Sequence, residues 1–380
     1  MKEQLISWRR HLHSMPESAF EEVKTAKLIA EKLREMGIEV TENVGKTGVV
    51  GTLKVGDSEG VIGLRADMDC INMVEKNEFS HKSIHEGKMH GCGHDGHVAT
   101  LLGAAKLLSE RKNFNGTVRF VFQPAEEPGY GARAMIEDGL FERFPMDEIY
   151  GLHNDPGKAA GTIHTRVGGI MASEDNFVVK IKGQGSHASS PHMGKDPLVM
   201  AAEIILGFQT IVSRNVSALE KIVISCTELH TDGVRNAIPS NVIIKGDTRS
   251  FSPVIQELIE VRMKAISVGV CEMNNGSCEF EYTHEFAPTI NSKECVPVAV
   301  EAAKNIFGEE NVYGDCEPWM GSEDFGLYMQ CVPGCFLFIG SKREKEEVTP
   351  LHNSLYDFND DILVPGAEFF AELIRVRLGK

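Results

Sequence analysis

The sequence predicts an α/β protein whose mainly parallel sheet domain is interrupted by a smaller, ferredoxin-like α+β domain. Two observations lead to this prediction. Short apolar runs alternate with helical patterns in residues 1–171, and the alternation returns in residues 289–380. Residues 172–288 follow the order β-α-β-β-α-β, which is typical of a small antiparallel sheet with two helices on one face. We therefore expect a discontinuous first domain, 1–171 and 289–380, and an inserted second domain, 172–288.

The elements of the first domain follow from hydrophobic periodicity and turn residues. Apolar residues at helical spacing run up to Met36 and Gly37 follows as a cap, which predicts a helix over 21–36. Apolar runs bounded by turn residues predict strands, and the helical patterns between several of them predict connecting helices. The predicted strands are 48–55, 61–66, 117–123, 148–153 and 335–339, and the further helices are 98–108, 132–138, 296–307 and 365–378.

The elements of the inserted domain are assigned in the same way. Asp196 and Pro197 predict the start of its first helix, because Asp caps helices and Pro is favoured in their first turn. In chain order the predicted elements are strand 174–182, helix 197–212, strands 221–229 and 241–250, helix 253–272 and strand 278–286.

Composition excludes several classes of protein. The 380 residues, 42% of them hydrophobic, are enough for two cores. A formal net charge of −16 argues against nucleic-acid binding, which needs clustered Lys and Arg. No run approaches the roughly 20 apolar residues that span a bilayer, and the first residues do not resemble a signal peptide. We therefore expect a cytoplasmic protein with no nucleic-acid or membrane partner.

The cysteines indicate reduced thiols. There are nine, an odd number, and no Cys-x-x-Cys occurs among them, so they do not form a disulfide framework. Cys92 differs from the rest because its neighbours are glycines and histidines. The window 89–97 combines this thiol with three imidazoles and one carboxylate, directly before an apolar run. Taken alone, the window is also compatible with a glycine-rich turn with polar caps.

Polar side chains follow three predicted strands. Asp67 and Asp69 follow one, Glu126 and Glu127 follow the next, and His153 ends the third. Open α/β sheets bind ligands outside the carboxyl ends of their strands, so these side chains are expected at one edge. Of two adjacent carboxylates in a loop, one can coordinate a metal while the other accepts a proton from water.

A hydrolytic two-metal site needs a ligand that bridges ions roughly 3.5 to 4 Å apart and an open position for water. A histidine near the end of the chain, His352, stands in the same tripeptide Leu-His-Asn as His153. The candidate shell is Cys92, His94, Glu127, His153 and His352.

The chain resembles the M20 metallopeptidase superfamily, specifically its amidohydrolase branch of aminoacylases, hippurate hydrolases, indoleacetyl-amino-acid hydrolases and N-acetyldiaminopimelate deacetylases. The similarity extends over essentially the whole chain and rests on seven motifs in order. They are Trp8 to His13 with Pro16 and Glu17, Leu64 to Asp69, Gly91 to His97, Gln123 to Glu127, Gly151 to Asn154, Gly185 to Ala188 with Pro191 and His192, and Gly321 to Phe325.

This resemblance implies roles for individual residues. Glu126 would be the general base, and Asp69 would orient a metal ligand. His187 would polarise the scissile carbonyl, and Asn236 and Arg249 are candidates for gripping a substrate carboxylate. His90, Asp95 and His97 would support or cap the loop that carries the ligands. The ligands of two divalent metal ions per subunit would be Cys92, His94, Glu127, His153 and His352.

The first domain would then be a catalytic metallohydrolase domain, and the inserted one a dimerisation or lid domain of a homodimer or homotetramer. The implied reaction is hydrolysis of the amide bond of an N-acyl amino acid to a carboxylic acid and a free amino acid. The thiolate favours Zn, Co or Ni, and the other ligands also accept Mn.

Other functions stay open at this point. The substrate could be N-acetyldiaminopimelate or a dipeptide. A non-catalytic binding protein of the same fold is a more distant alternative. Another distant alternative is a metal-free enzyme with Cys92 as nucleophile and His94 or His97 as base. It would assign no role to Glu127, His153 and His352.

Overall fold

The computed structural model describes residues 1–344 and 347–379, and the chain divides into two compact units. The first unit comprises Met1–Ile170, Ile290–Glu317 and Asp324–Lys380, and the second comprises Met171–Thr289 and Pro318–Glu323. Residues 318–323 fall in the predicted first domain. They belong with the second unit because the Ala172 N–H donates to the carbonyls of Trp319 and Gly321. Positions 345, 346 and 380, which fall in the predicted range 289–380, lie outside the described residues.

Ten α-helices occur in the described part of the chain. They are α1 (Lys2–Ser14), α2 (Val23–Glu35), α3 (His94–Arg111), α4 (Gly131–Glu137), α5 (Leu140–Arg143), α6 (Pro197–Thr210), α7 (Pro253–Met273), α8 (Cys295–Phe307), α9 (Tyr328–Cys331) and α10 (Leu363–Leu378).

Sixteen strands occur in the same residues. They are β1 (Glu39–Val44), β2 (Gly48–Val55), β3 (Val61–Asp67), β4 (Gly116–Gln123), β5 (Glu148–Ala159), β6 (Ile163–His164), β7 (Gly168–Met171), β8 (Glu174–Lys182), β9 (Ser186–His187), β10 (Val223–Thr231), β11 (Ala237–Ile238), β12 (Asn241–Arg249), β13 (Ser277–Phe286), β14 (Thr289–Asn291), β15 (Val312–Tyr313) and β16 (Gly334–Lys342).

The first unit is built on an eight-stranded sheet in the order β1-β2-β4-β3-β5-β16-β6-β15. The central strands β4, β3, β5 and β16 run parallel, β15 runs parallel to β6, and the remaining pairs are antiparallel. The predicted mainly parallel α/β fold is therefore confirmed. Because β4, β3 and β5 are adjacent and parallel, the residues that follow them emerge at one edge of the sheet.

Helix α3 is the central helix of this unit. It packs against α1, α10 and β3, and almost all of its side chains from His94 to Leu108 are buried. It starts at His94, four residues before the predicted start at Val98. The polar residues 94–97 concealed this start, because they form the first turn and carry site chemistry instead of an apolar stripe.

Helix α1 and strand β1 are absent from the predicted elements. The apolar stripe of α1 consists of Leu5, Trp8 and Leu12, which are buried at helical spacing among charged residues. The signal was therefore present in the sequence, but the charged residues diluted it.

The second unit has the predicted ferredoxin-like elements. Its four strands form an antiparallel sheet in the order β10-β12-β8-β13, and α6 and α7 pack together beside it. Its core combines alternate residues of β8 with the buried face of α6, including Phe177, Val179, Ile204 and Phe208. By length and composition the stretch Pro197–Asn215 is apolar enough to cross a membrane. A single helix of this kind is weak evidence for a membrane span, because core helices pass the same test, and side chains of this stretch contribute to the core of the second unit.

Candidate metal centre

A glycine turn places the first candidate ligands at the edge of the first-unit sheet. Gly93 has φ 96°, and a Cβ atom there would lie 2.3 Å from the Asn154 Oδ1 atom. Only glycine accepts both the left-handed backbone and this close approach. The turn leaves Cys92 just before α3 and makes His94 the first residue of the helix.

His94 is oriented as a ligand. Its Nδ1–H donates to the backbone carbonyl of Asp69 at 3.0 Å, which leaves the Nε2 lone pair facing inward. Nε2 is buried and has no hydrogen-bond partner among the described residues. Burial alone would lower the pKa of His94, but the negative charges of Asp67, Asp69 and Glu127 raise it to about 10. The surroundings of Nε2 therefore favour a cation.

His153 and Cys92 form a second pair of donors. The His153 Nδ1–H donates to the carbonyl of Asn154 at 2.8 Å, so its Nε2 lone pair is directed at the Cys92 Sγ atom 3.5 Å away. Burial and the charge of His97 lower the pKa of His153 well below its usual value. A neutral imidazole beside a sulfur atom is the state that a transition metal binds.

Glu127 stands between two of the histidines. Its Oε1 lies 3.9 Å from the His94 Nε2 atom, and its Oε2 lies 3.4 Å from the His352 Nε2 atom. The Glu127 backbone N–H donates to the Asp69 Oδ2 atom at 3.1 Å. A carboxylate that directs each oxygen at a different imidazole can bridge two ions.

His352 reaches the cluster from a loop near the end of the chain. Its side chain is 56% exposed, and its φ of 59° is unusual for a residue with a side chain. Its backbone N–H donates to the Gly91 carbonyl at 2.9 Å, which ties this loop to the Cys92 turn. A hydrogen bond with Glu127 raises the pKa of His352.

Glu126 is placed beside the ligands. Its side chain is mostly buried, and its Oε2 lies 3.8 Å from the His94 Nε2 atom. Asp69, the other predicted catalytic carboxylate, contacts His94 through Oδ1 at 3.3 Å and accepts the Glu127 N–H. Asp69 therefore holds two candidate ligands at once.

The residues present fit a metal centre. The ligand atoms of Cys92, His94 and Glu127 all lie within 4.8 Å of one another. The buried atoms Glu127 Oε1 and Asp69 Oδ1, like His94 Nε2, make no hydrogen bond in the described structure. Buried polar atoms are normally paired, and a thiolate, imidazoles and a carboxylate are the donor set of zinc-type sites.

Sequence reasoning predicted a supporting role for His97 but not its partners Asp67 and Asn154. Asp67, which ends β3, accepts from His97 Nδ1 at 2.6 Å and pairs with Arg65 at 2.8 Å. His97 Nε2 lies 2.7 Å from the Asn154 Oδ1 atom. Asp67, His94, His97 and His153 also form a group that could hold an ion. The available signal for Asp67 was its position at the end of a strand.

Residues of the motif Trp8 to His13, on α1, form a separate buried polar network. His13 Nδ1 donates to Asp95 at 2.9 Å, its Nε2 donates to Glu75 at 3.1 Å, and Arg9 pairs with Asp357 at 2.8 Å. Asp95 directly follows the ligand His94. This network therefore ties α1 to the first turn of α3.

His90, the third histidine of the opening window, is buried and makes no hydrogen bond among the described residues. Burial lowers its pKa to about 4.

The second unit brings His187 and Asn236 together. His187 pairs with Ala237 across β9 and β11, and the Ala188 N–H donates to the Asn236 carbonyl at 3.0 Å. The Ser189 N–H donates to His187 Nδ1 at 3.2 Å, so a neutral ring carries its proton on Nε2. That N–H is a donor suited to a carbonyl oxygen.

Arg249 lies apart from this pair, at the far end of β12. Its guanidinium contacts Glu174 at 2.9 Å and Asp247 at 3.0 Å. Its charge is thus compensated within the unit, which weakens the expectation that it grips a substrate carboxylate.

Known proteins are similar to this chain in sequence and in fold. Peptidase family M20/M25/M40 matches residues 63–376. A hippurate hydrolase of Campylobacter jejuni is 41% identical over 365 residues, which cover 96% of this chain and 94% of that protein. An N-acetylcysteine deacetylase of Bacillus subtilis is 36% identical over 371 residues, which cover 97% of this chain and 95% of that protein.

A crystal structure of similar fold comes from the same family. The YXEP protein of Bacillus subtilis, described as a dinuclear metal-binding peptidase of the M20 family, is 33% identical and superimposes with a TM-score of 0.86. The match covers 99% of this chain and 98% of that chain. The resemblance inferred from the motifs is confirmed, and the chain belongs to peptidase family M20/M25/M40.

Proposed function

We propose that this protein is a metal-dependent amidohydrolase that cleaves N-acyl amino acids to a carboxylic acid and a free amino acid. The observation that carries the proposal is the position of Glu127, which directs one oxygen at His94 and the other at His352, with Glu126 beside the same His94. Relatives named hippurate hydrolase and N-acetylcysteine deacetylase support this substrate class, because both named substrates are N-acyl amino acids.

Two divalent ions would be held by the five side chains of the candidate shell. Ions bound there would lower the pKa of water and polarise the amide carbonyl. The ligands would be Cys92, His94, Glu127, His153 and His352. Their mixed sulfur, nitrogen and oxygen donors suit Zn, Co, Ni or Mn.

The remaining chemistry falls to the chain's own side chains. Glu126 takes a proton from the attacking water and delivers it to the departing amine. Asp69 holds His94 and the Glu127 backbone in place. His187 offers its Nε2–H to the carbonyl oxygen as negative charge develops there, and Asn236 supports substrate binding.

A peptidase activity is the second candidate, because the YXEP protein is described as a peptidase. A panel of N-acetyl, N-benzoyl and N-indoleacetyl amino acids, N-acetyldiaminopimelate and dipeptides, assayed after reconstitution with Zn, Mn, Co or Ni, separates the substrates. Hydrolysis of dipeptides alone would refute the N-acyl amino acid proposal. Full activity in strong chelator would instead favour Cys92 as a nucleophile.

The base is tested by Glu126→Gln. We expect kcat to fall by about 10²- to 10⁴-fold while metal content stays unchanged, because the amide cannot accept the proton but keeps the side chain's shape. Metal content is measured by elemental analysis beside the kinetics. Glu137→Gln, at an exposed site on α4, is the control and should behave as wild type. An active Glu126→Gln variant would remove Glu126 from this role.

Assembly and location complete the proposal. We propose a homodimer formed through the second unit, in which exposed apolar side chains of α6 and α7 include Leu206, Val254 and Val261. A cytoplasmic location is supported by the nine cysteines, none of which forms a disulfide in the described structure.

A further inference from the structure

Glu22 is a buried carboxylate that the proposed reaction does not use. It stands at the N-cap position of α2 and is fully buried. One oxygen, Oε1, accepts the backbone N–H of Ala125 at 2.9 Å, and the other accepts the Thr47 hydroxyl at 2.6 Å. Among the described residues, neither oxygen makes a hydrogen bond to a candidate metal ligand. The hydrogen-bonded path from Glu22 to the site therefore runs through the backbone of Ala125.

Ala125 has a backbone conformation that residues with a side chain rarely adopt. Its φ is 48°, in the left-handed region, and it directly precedes Glu126 and Glu127. Its carbonyl accepts the N–H groups of Tyr130 and Gly131 at 3.2 and 2.9 Å. Such a conformation persists only where surrounding contacts enforce it, and it determines the direction in which the following residues leave.

Three buried carboxylates hold the loop that contains Ala125. Besides Glu22, Asp69 accepts the Glu127 N–H at 3.1 Å, and Asp324 accepts the Ala132 N–H at 2.9 Å. Asp69 also contacts His94, and Asp324 contacts Arg65, so both are tied to the metal centre by their side chains. Glu22 is the member of this set whose effect can be tested without altering a side chain at the centre.

We propose that Glu22 is a positioning residue: by accepting the Ala125 N–H it holds Ala125 in the left-handed conformation and so sets where the carboxylates of Glu126 and Glu127 stand. The inference rests on the proposed function, in which Glu126 is the base and Glu127 a shared ligand. A carboxylate displaced by about 1 Å can lose roughly 10²-fold in rate.

The chain offers a conservative variant. Burial raises the pKa of Glu22 to about 7, against the opposing effect of the Thr47 hydrogen bond, so the neutral form is within reach at physiological pH. A Gln at this position has the same shape and is also neutral. Its carbonyl oxygen can accept the Ala125 N–H, and its amide can donate to the Thr47 hydroxyl. Glu22→Gln should therefore keep the Ala125 conformation, whereas Glu22→Ala removes both contacts.

A second substitution separates positioning from general stability. Glycine adopts a positive φ without a steric penalty, so Ala125→Gly removes the strain that Glu22 holds in place. In the double variant Glu22→Ala/Ala125→Gly the loop can adopt its conformation without the carboxylate. If Glu22 acts through Ala125, this second change restores what Glu22→Ala loses. If Glu22 only stabilises α2, it restores nothing.

The experiment compares the full-length protein with Glu22→Ala, Glu22→Gln, Ala125→Gly and the double variant, well below the lowest melting temperature. Two quantities are measured: kcat and KM on an N-acetyl or N-benzoyl amino acid, and the Kd for Mn²⁺ from calorimetric titration of chelator-treated protein. We expect Glu22→Ala to lower kcat and weaken Mn²⁺ binding by about 10- to 100-fold. Glu22→Gln and Ala125→Gly should stay within about threefold of wild type, and the double variant should recover at least about fivefold.

Glu17→Ala is the matched control. Glu17 is also a buried carboxylate near the start of α2, but its side chain accepts the N–H groups of Lys24 and Thr25 and, among the described residues, makes no hydrogen bond to the loop that contains Ala125. This variant should melt at a lower temperature with unchanged kcat and Kd.

Two results would overturn the proposal. One is equal kcat and equal Mn²⁺ Kd for Glu22→Ala and the double variant. The other is a Glu22→Ala variant that matches wild type in both quantities. A wild-type protein that hydrolyses none of the N-acyl amino acids would refute the proposed function instead, and the Mn²⁺ titrations would still decide the role of Glu22.

Discussion

At the scale of the residue, the candidate centre depends on how each imidazole is held. His94 and His153 both donate Nδ1–H to a backbone carbonyl, so both present Nε2 to the cluster. The residue types of the five candidate ligands could be chosen from the sequence because thiols, imidazoles and carboxylates at strand ends are chemically conspicuous. Asp67 and Asn154 could not, because their roles depend on meeting His97 across the fold.

The thiol of Cys92 provides a residue-scale prediction. A ligated thiolate is shielded from alkylation, so chelator-treated protein should lose the protection that Zn²⁺ or Mn²⁺ gives Cys92. The measurement is labelling with a thiol reagent, followed by peptide mass spectrometry. The exposed thiol of Cys331 is the internal control and should be labelled equally with and without metal. Metal-independent labelling of Cys92 would exclude it as a ligand.

At the scale of the element, helix α1 makes buried polar contacts with the first turn of α3, through Asp95, and with two segments that are distant in the chain, through Glu75 and Asp357. Arg9 pairs with Asp357 and Asp360 at 2.8 Å each, and His13 binds Asp95 and Glu75. Removing one partner from such a buried network leaves uncompensated charge and is strongly destabilising. Sequence patterns identified the motif around Arg9 but not its partners, which lie more than sixty residues away.

The pH dependence of stability tests this network. Burial opposes protonation of His13, but the charge of Asp95 and the hydrogen bonds of Asp95 and Glu75 outweigh it and raise the pKa to about 9. A raised pKa stabilises the folded state fully below the ordinary value of 6.5, and this contribution is lost as pH rises through about 9. We expect the free energy of unfolding, measured with denaturant, to decline over that window.

The variant His13→Gln should lack that decline and be less stable at pH 6. His11→Gln, at an exposed position on the same helix, is the control and should keep the wild-type profile. Identical profiles for wild type and His13→Gln would show that His13 is not charged in the folded protein.

At the scale of the whole molecule, each of the two units has a hydrophobic core of its own. The second unit carries exposed apolar side chains on its helices, with Leu206 and Val254 each 71% exposed and Val261 58% exposed. Exposed apolar side chains that lie together on a surface are typical of an interaction site, and these three are the candidates for one. The order of the elements in the insertion was accessible to sequence reasoning because the change in their pattern is local, but the place of residues 318–323 in the second unit was not.

Sedimentation velocity tests the assembly. We expect the full-length protein to sediment as a dimer, and Val254→Lys with Val261→Lys to shift it toward the monomer, because the added charges oppose burial of this face. Val23→Lys is the control, since Val23 is 64% exposed in the first unit. A wild-type protein that is monomeric at all concentrations tested would contradict the proposed dimer.

The sequence alone determined the family, the α/β class with its ferredoxin-like insertion, and the chemical types of the candidate ligands. These follow from periodicity and residue chemistry, which are local properties of a chain. Only the tertiary structure decided that Glu127 stands between His94 and His352, that Arg249 is compensated by Glu174 and Asp247, and that Glu22 holds Ala125. Such contacts join residues far apart in the chain, so they depend on strand order, register and burial, which no local pattern encodes.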